Sequence, residues 1–183
     1  PVPVDEDLAA ELAALGEVKH IVCPNLFHHV FAAEVKQRYP EALLHGPAKL
    51  AGKRKDLTLD ATLSETPHPD WGDDFELVFI EGSMLQETVF YHRASRTLIA
   101  ADLIENFRQC DHGFTRWYLK LGGLWQKPGW HPVLRLVYLN RRKARASITR
   151  ILEWPFEKLS LAHGEVITEN ARNQARHGLE WLF

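Results

Sequence analysis

Apolar residues fall into two rhythms along this chain, one of period two and one close to 3.6, and their alternation sketches the elements. Asp5 stands before an amphipathic stretch that Gly16 closes, which predicts a capped helix over residues 5–15. Residues 18–23, with the apolar run Ile21-Val22-Cys23, read as a strand. Phe27, Val30, Phe31 and Val35 recur at nearly helical spacing and predict a helix over residues 26–38, ending before Pro40. A short strand follows at 42–45, then a short basic helix or turn at 47–55, then loop through residues 57–60 and 66–74. Residues 75–80, 87–92 and 97–101 read as three successive strands with hairpin-compatible joints at Gly82-Ser83 and Ala94-Ser95-Arg96. A strong amphipathic helix runs from Asn140 to Trp154, where Pro155 stops it. Residues 159–163 form a short strand that ends on His163-Gly164. Thr168 caps a terminal helix to residue 182, with Glu169 in its first turn. Helices alternating with strands, then hairpin strands, give a layered α/β protein.

Four residues stand where predicted strands give way to loops: His28 and His29, Asp102, and His163. Strand ends are where α/β proteins collect their chemistry, and imidazole and carboxylate are the common non-thiolate ligands of zinc or iron. Asp102 closes the apolar segment Ser95-Arg96-Thr97-Leu98-Ile99-Ala100-Ala101, and His28-His29 closes Pro24-Asn25-Leu26-Phe27.

That order resembles the metallo-β-lactamase superfamily, the αββα hydrolases that include glyoxalase II and RNase Z. The resemblance covers roughly residues 18–164, and the signatures around 25–29, 90–93 and 95–102 look like those of an uncharacterised branch with a degenerate metal site. It implies a four-layer αββα sandwich, compact or trimmed at its N-terminus. Members carry a His-x-His-x-Asp-His loop, a lone His, a strand ending in a bridging Asp and a strand ending in His. Aligned on the final dipeptide, Pro24 and Leu26 stand at the first two histidines, His28 at the Asp and His29 at the last His. No histidine lies at residues 82–86, where the lone one is expected. The ligands of one metal are absent and those of the other survive. The resemblance thus implies one divalent metal, zinc or iron, held by His28, His29, Asp102 and His163, with Asp102 orienting a nucleophile. The alternative is that these residues only hydrogen-bond to one another in a fold that has lost its metal. Four tight protein ligands would also leave a tetrahedral zinc no open position, which favours a structural role.

Composition narrows the rest. The 183 residues fit one domain, with residues 111–154 as an insertion or lid-like segment. Apolar residues are plentiful, yet no run reaches the length of a membrane span, and a net charge of −2 gives no general reason to expect nucleic-acid binding. Two cysteines, Cys23 and Cys110, exclude a disulfide scaffold and a Cys-rich zinc site, and a cytoplasmic location is the default. The expected partner is a small-molecule substrate, with neither nucleic acid nor membrane. Residues 114–130, rich in Trp, Tyr and Leu, read as a substrate-covering lid, a core helix or a homodimer contact. The run Arg141-Arg142-Lys143-Ala144-Arg145 reads as a solvated helix face. Glu81 and Glu87 flank the missing lone His as a ligand, a base or a plain strand-edge charge. His92 reads as a surface residue and Asn106 as a second-layer hydrogen bonder or a cap. Cys110 reads as an ordinary thiol, and His112 and His131 receive no role. Two function classes remain: a mononuclear metal-dependent hydrolase of a small ester, thioester or phosphoester, and a non-catalytic binding or regulatory module.

Overall fold

A computed structural model describes all residues from Pro1 to Phe183. Two compact units make up the chain, Pro1–Leu63 and Ser64–Phe183, each with its own apolar cluster.

In the first unit, α1 (Glu6–Leu15) starts where Asp5 accepts the Leu8 N–H at 2.9 Å and stops at Gly16, as its sequence signals predict. Strands β1 (His20–Val22), β2 (Leu43–Gly46) and β3 (Ala61–Thr62) form a parallel sheet in that order. Parallel neighbours require crossovers, supplied by α2 (Ala32–Arg38) and α3 (Leu50–Lys53). Ile21, Cys23, Ala32, Val35, Leu44 and Leu50 close the core. The predicted 26–38 helix loses its first half. Phe27 and Val30 are exposed, so part of the apolar spacing there never served a buried face. Asn25 instead accepts the N–H groups of Phe27 and His28, both at 2.8 Å, and turns the chain before α2 begins.

In the second unit, β4 (Phe75–Phe79), β5 (Thr88–His92) and β6 (Thr97–Ile99) form the antiparallel run that the hairpin signals predict. β7 (Lys158–Ser160) returns parallel to β6 after a long crossover. That crossover holds α4 (Gly113–Leu121), a 3-10 helix at Pro132–Val137 and α5 (Arg141–Glu153), whose Asn140 accepts the Lys143 N–H. The last helix, α6 (Ala171–Gly178), begins two residues later than a Thr168 cap would have it, with Asn170 at the cap position in a left-handed conformation. Leu98, Ile104, Ile148, Ile151, Leu159 and Leu179 are fully buried between the sheet and these helices.

Candidate metal centre

Asp102 and His163 stand just past neighbouring parallel strands, β6 and β7, so the register of that pair delivers both to one end of the sheet. His163 Nε2 and Asp102 Oδ1 are 2.8 Å apart, within one hydrogen bond. Asp102 is buried and His163 half-buried. The His163 imidazole titrates above its ordinary range, first because Asp102 accepts its hydrogen bond, with burial opposing.

Backbone bonds fix the two positions. Buried Glu87 accepts the Ala101 N–H at 2.7 Å and takes the Asp102 N–H on both carboxylate oxygens, at 3.1 and 3.0 Å. It is a buried group rather than a plain strand-edge charge, and it anchors the backbone that presents Asp102. Asn106 caps no helix. Its N–H donates to the His163 carbonyl at 3.0 Å, its carbonyl accepts the Glu165 N–H at 2.8 Å, and its amide donates to the Glu165 carbonyl at 2.7 Å. Gly164 closes that loop at a φ of +98°, where a Cβ would collide with the Asn106 carbonyl oxygen.

Glu105 escaped the sequence reading. Burial raises its pKa, and both Asp102 and His163 lie close enough to influence its charge. An acidic residue one turn past the strand-end Asp was the available signal. Residues 126–129 run beside the same segment: Glu105 and Gly129 exchange two backbone bonds of 2.9 Å, and the Gln126 N–H reaches the Phe107 carbonyl at 3.0 Å. The end of the 114–130 stretch is therefore tied to residues 105–107, and within the stretch Leu119, Leu124 and Trp130 are buried while Phe114, Trp117 and Leu121 are exposed.

In the first unit, the turn made by Asn25 presents His28 and His29. His29 departs from the four-ligand expectation. Its Nδ1 lies 2.9 Å from Arg54 Nη1, a group that only donates, so the Nδ1 lone pair is used and the neutral ring carries its proton on Nε2. A metal on Nε2 needs the opposite tautomer. Burial, then Lys53 and Arg54, lower the His29 pKa. Arg54 also donates to the His29 carbonyl and is held by Asp56, whose carboxyl it pulls down to about 2.

The remaining candidates have plain roles. His92 bonds Ser95 in the β5–β6 turn, and His112 and His131 cap the starts of α4 and the 3-10 helix after it. Glu81 pairs with Lys143. Cys110 Sγ lies 3.6 Å from the His112 carbonyl oxygen.

No family model and no curated protein matches the sequence. Solved structures do match. A metallo-β-lactamase from Pontibacter korlensis is similar over 96% of this chain and 77% of its own, at 17% identity and a TM-score of 0.61. A metal-soaked flavodiiron core from Synechocystis is similar over 97% and 47%, at 13% identity and 0.62. A flavoprotein from Thermotoga maritima is similar over 97% and 46%, at 10% identity and 0.64. The chain spans about three quarters of the lactamase but under half of the latter two. It has a metallo-β-lactamase-like fold.

Proposed function

We propose that this protein binds one divalent metal, zinc or iron, through Asp102, His163 and His28, and hydrolyses a small ester, thioester or phosphoester. The observation that carries the reading is the Asp102–His163 contact, since the lone pairs that share a proton at 2.8 Å are those a divalent cation takes. One carboxylate oxygen and imidazole nitrogen donors suit zinc or iron. His28 completes the set by the resemblance of its loop to the superfamily motif. His29 is left out because of Arg54, and three protein ligands leave a position for substrate or water.

When bound, the metal would supply Lewis-acid polarisation of the scissile bond and a more acidic water. The chain's own residues do the rest. Glu87 holds the Asp102 backbone, Asn106 and Gly164 hold the His163 loop, and Glu105 is a carboxyl whose raised pKa suits it to moving a proton beside them. Residues 114–130, within the lid-like segment 111–154, form one wall.

A second reading, a non-catalytic binding module, is favoured by the Arg54 contact and by the absence of histidine at Pro24, Leu26 and residues 82–86. Elemental analysis of untagged protein, followed by an ester, thioester and phosphoester panel with and without chelator, separates the two. One metal per chain with chelator-sensitive turnover supports hydrolysis, and absent turnover supports the module.

A further inference from the structure

The net charge of −2 averages over a very uneven distribution. Residues 112–152 hold nine lysines and arginines and no aspartate or glutamate, whereas the rest of the chain holds 13 basic and 24 acidic residues. The same stretch exposes large apolar side chains in register. Phe114, Trp117 and Leu121 stand at i, i+3 and i+7 on α4, one face of an α-helix. Val133 and Leu136 stand three apart on one face of the 3-10 helix, and Leu139 is exposed just past its end. Trp117 is 57% exposed and Leu136 71%. The two elements are packed together, with Tyr118 stacked on His131 at 3.8 Å and the His131 ring against Gly122.

The cations are largely uncompensated. Lys143 pairs with Glu81 and Arg150 with Glu65, but Lys120, Lys127, Arg141 and Arg142 are exposed and make no ion pair. Arg135 and Arg141 crowd the Trp181 ring at 5.1 and 5.8 Å, like charges side by side with no carboxylate between them. Arg141, Arg142 and Lys143 fill the first turn of α5, where the helix dipole disfavours cations, so helix stability does not explain them.

We propose that this face docks on an anionic lipid bilayer. Exposed Trp, Phe and Leu between lysines and arginines are the signature of an element that rests in the headgroup region without crossing it. No helix here is long and apolar enough to cross a membrane. Charge complementarity selects the occupant: a second copy meeting this face with its own would oppose cation to cation. Single-stranded nucleic acid would use the aromatic rings and cations but offers nothing to Leu121, Val133, Leu136 and Leu139, whereas acyl chains do. The inference uses none of the proposed metal ligands, and it assigns the outward side chains of residues 114–130, the proposed wall of the site, to a second surface.

Flotation of the full chain with vesicles tests it, comparing phosphatidylcholine alone with phosphatidylcholine containing about one-third phosphatidylglycerol. Binding is expected only to the anionic vesicles, weakened by salt. Trp117→Glu with Leu136→Glu should abolish it, and because both side chains are exposed the variant should keep its circular dichroism and melting temperature. Lys127→Gln, Arg141→Gln and Arg142→Gln should each weaken it about fivefold. No binding to anionic vesicles overturns the proposal, as does binding that the double variant retains. A single-stranded oligonucleotide captured without vesicle binding overturns it in favour of nucleic acid. A dimer broken by Trp117→Glu, again without vesicle binding, overturns it in favour of self-association.

Discussion

Both oxygens of the Glu87 carboxylate accept the backbone N–H of Asp102, and one of them also takes the N–H of Ala101. A buried charge is tolerated only when its lone pairs are filled, and here the donors that fill them present the central carboxylate of the candidate site. The shape of this end of β6 therefore depends on a side chain at the start of β5.

Glu87→Gln keeps the volume but turns one acceptor into a donor facing buried N–H groups. Outer groups that orient metal ligands typically matter about 10–100-fold in affinity. The variant should lose at least about tenfold in metal affinity, read by competition with a chromogenic chelator. Glu87→Ala, which strands the N–H groups, should also cost about 1–3 kcal/mol for each one left unsatisfied. A Gln variant that melts lower but binds metal as the wild type does would confine Glu87 to a folding role.

Gly164→Ala places a Cβ against the Asn106 carbonyl at a φ that side chains rarely adopt, so the loop bearing His163 must shift. Backbone strain of this kind costs about 1–3 kcal/mol. We expect a lower melting temperature and, more tellingly, loss of metal binding at temperatures where the variant is still folded. Retained affinity in a destabilised variant would show that the loop tolerates displacement.

The strand ends that carry Asp102 and His163 were legible because apolar runs closing on polar residues mark them directly, and the hairpin strands followed from their joints. Residues 26–31 were not legible as a turn. Their apolar spacing imitates a helix, while the side chain that breaks it, Asn25, acts through hydrogen bonds that periodicity cannot express. The same limit hid Arg54 and Glu87. A long-range partner for a histidine, or a carboxylate facing backbone N–H groups 14 and 15 residues away, leaves no local pattern. Similarity to solved lactamase and flavodiiron structures bears out the metallo-β-lactamase-like fold, whereas the ligand set rests on chemistry still to be tested.

Acid should loosen the contact between Glu65 and α5. The Arg150 guanidinium holds the Glu65 carboxyl below its usual range, with the Phe79 N–H adding to this and burial opposing. A group depressed in the folded state stabilises above its unfolded pKa and loses that contribution as pH falls through the folded one. The window therefore opens near pH 4.5 and extends downward. Both side chains are about half exposed, so the contribution is at most about 1 kcal/mol. Denaturation of Glu65→Gln across this range should give a shallower pH slope than wild type, with the curves converging at the acid end. Parallel curves would mean that the pair is solvated and contributes nothing.

The three-ligand reading makes opposite predictions for two adjacent histidines. His28→Ala should remove the metal, whereas His29→Ala should leave about one per chain, because Arg54 already occupies Nδ1 and fixes the wrong tautomer on Nε2. Asp102→Asn, which keeps the shape and removes the charge, should abolish any chelator-sensitive turnover. β-Lactam and glutathione-thioester hydrolysis should be weak or absent in the wild type, since Pro24, Leu26 and residues 82–86 provide none of the histidines of a second metal. His28→Asp restores the superfamily dipeptide without that second set, so it should change metal affinity and not create lactamase activity. Elemental analysis of the five proteins, with turnover of one lactam and one thioester, decides the matter. Two metals per chain, or robust lactam hydrolysis by the unmodified protein, would sink the single-metal reading. Metal lost in His29→Ala as well would return His29 to the ligand set and require Arg54 to move aside on loading.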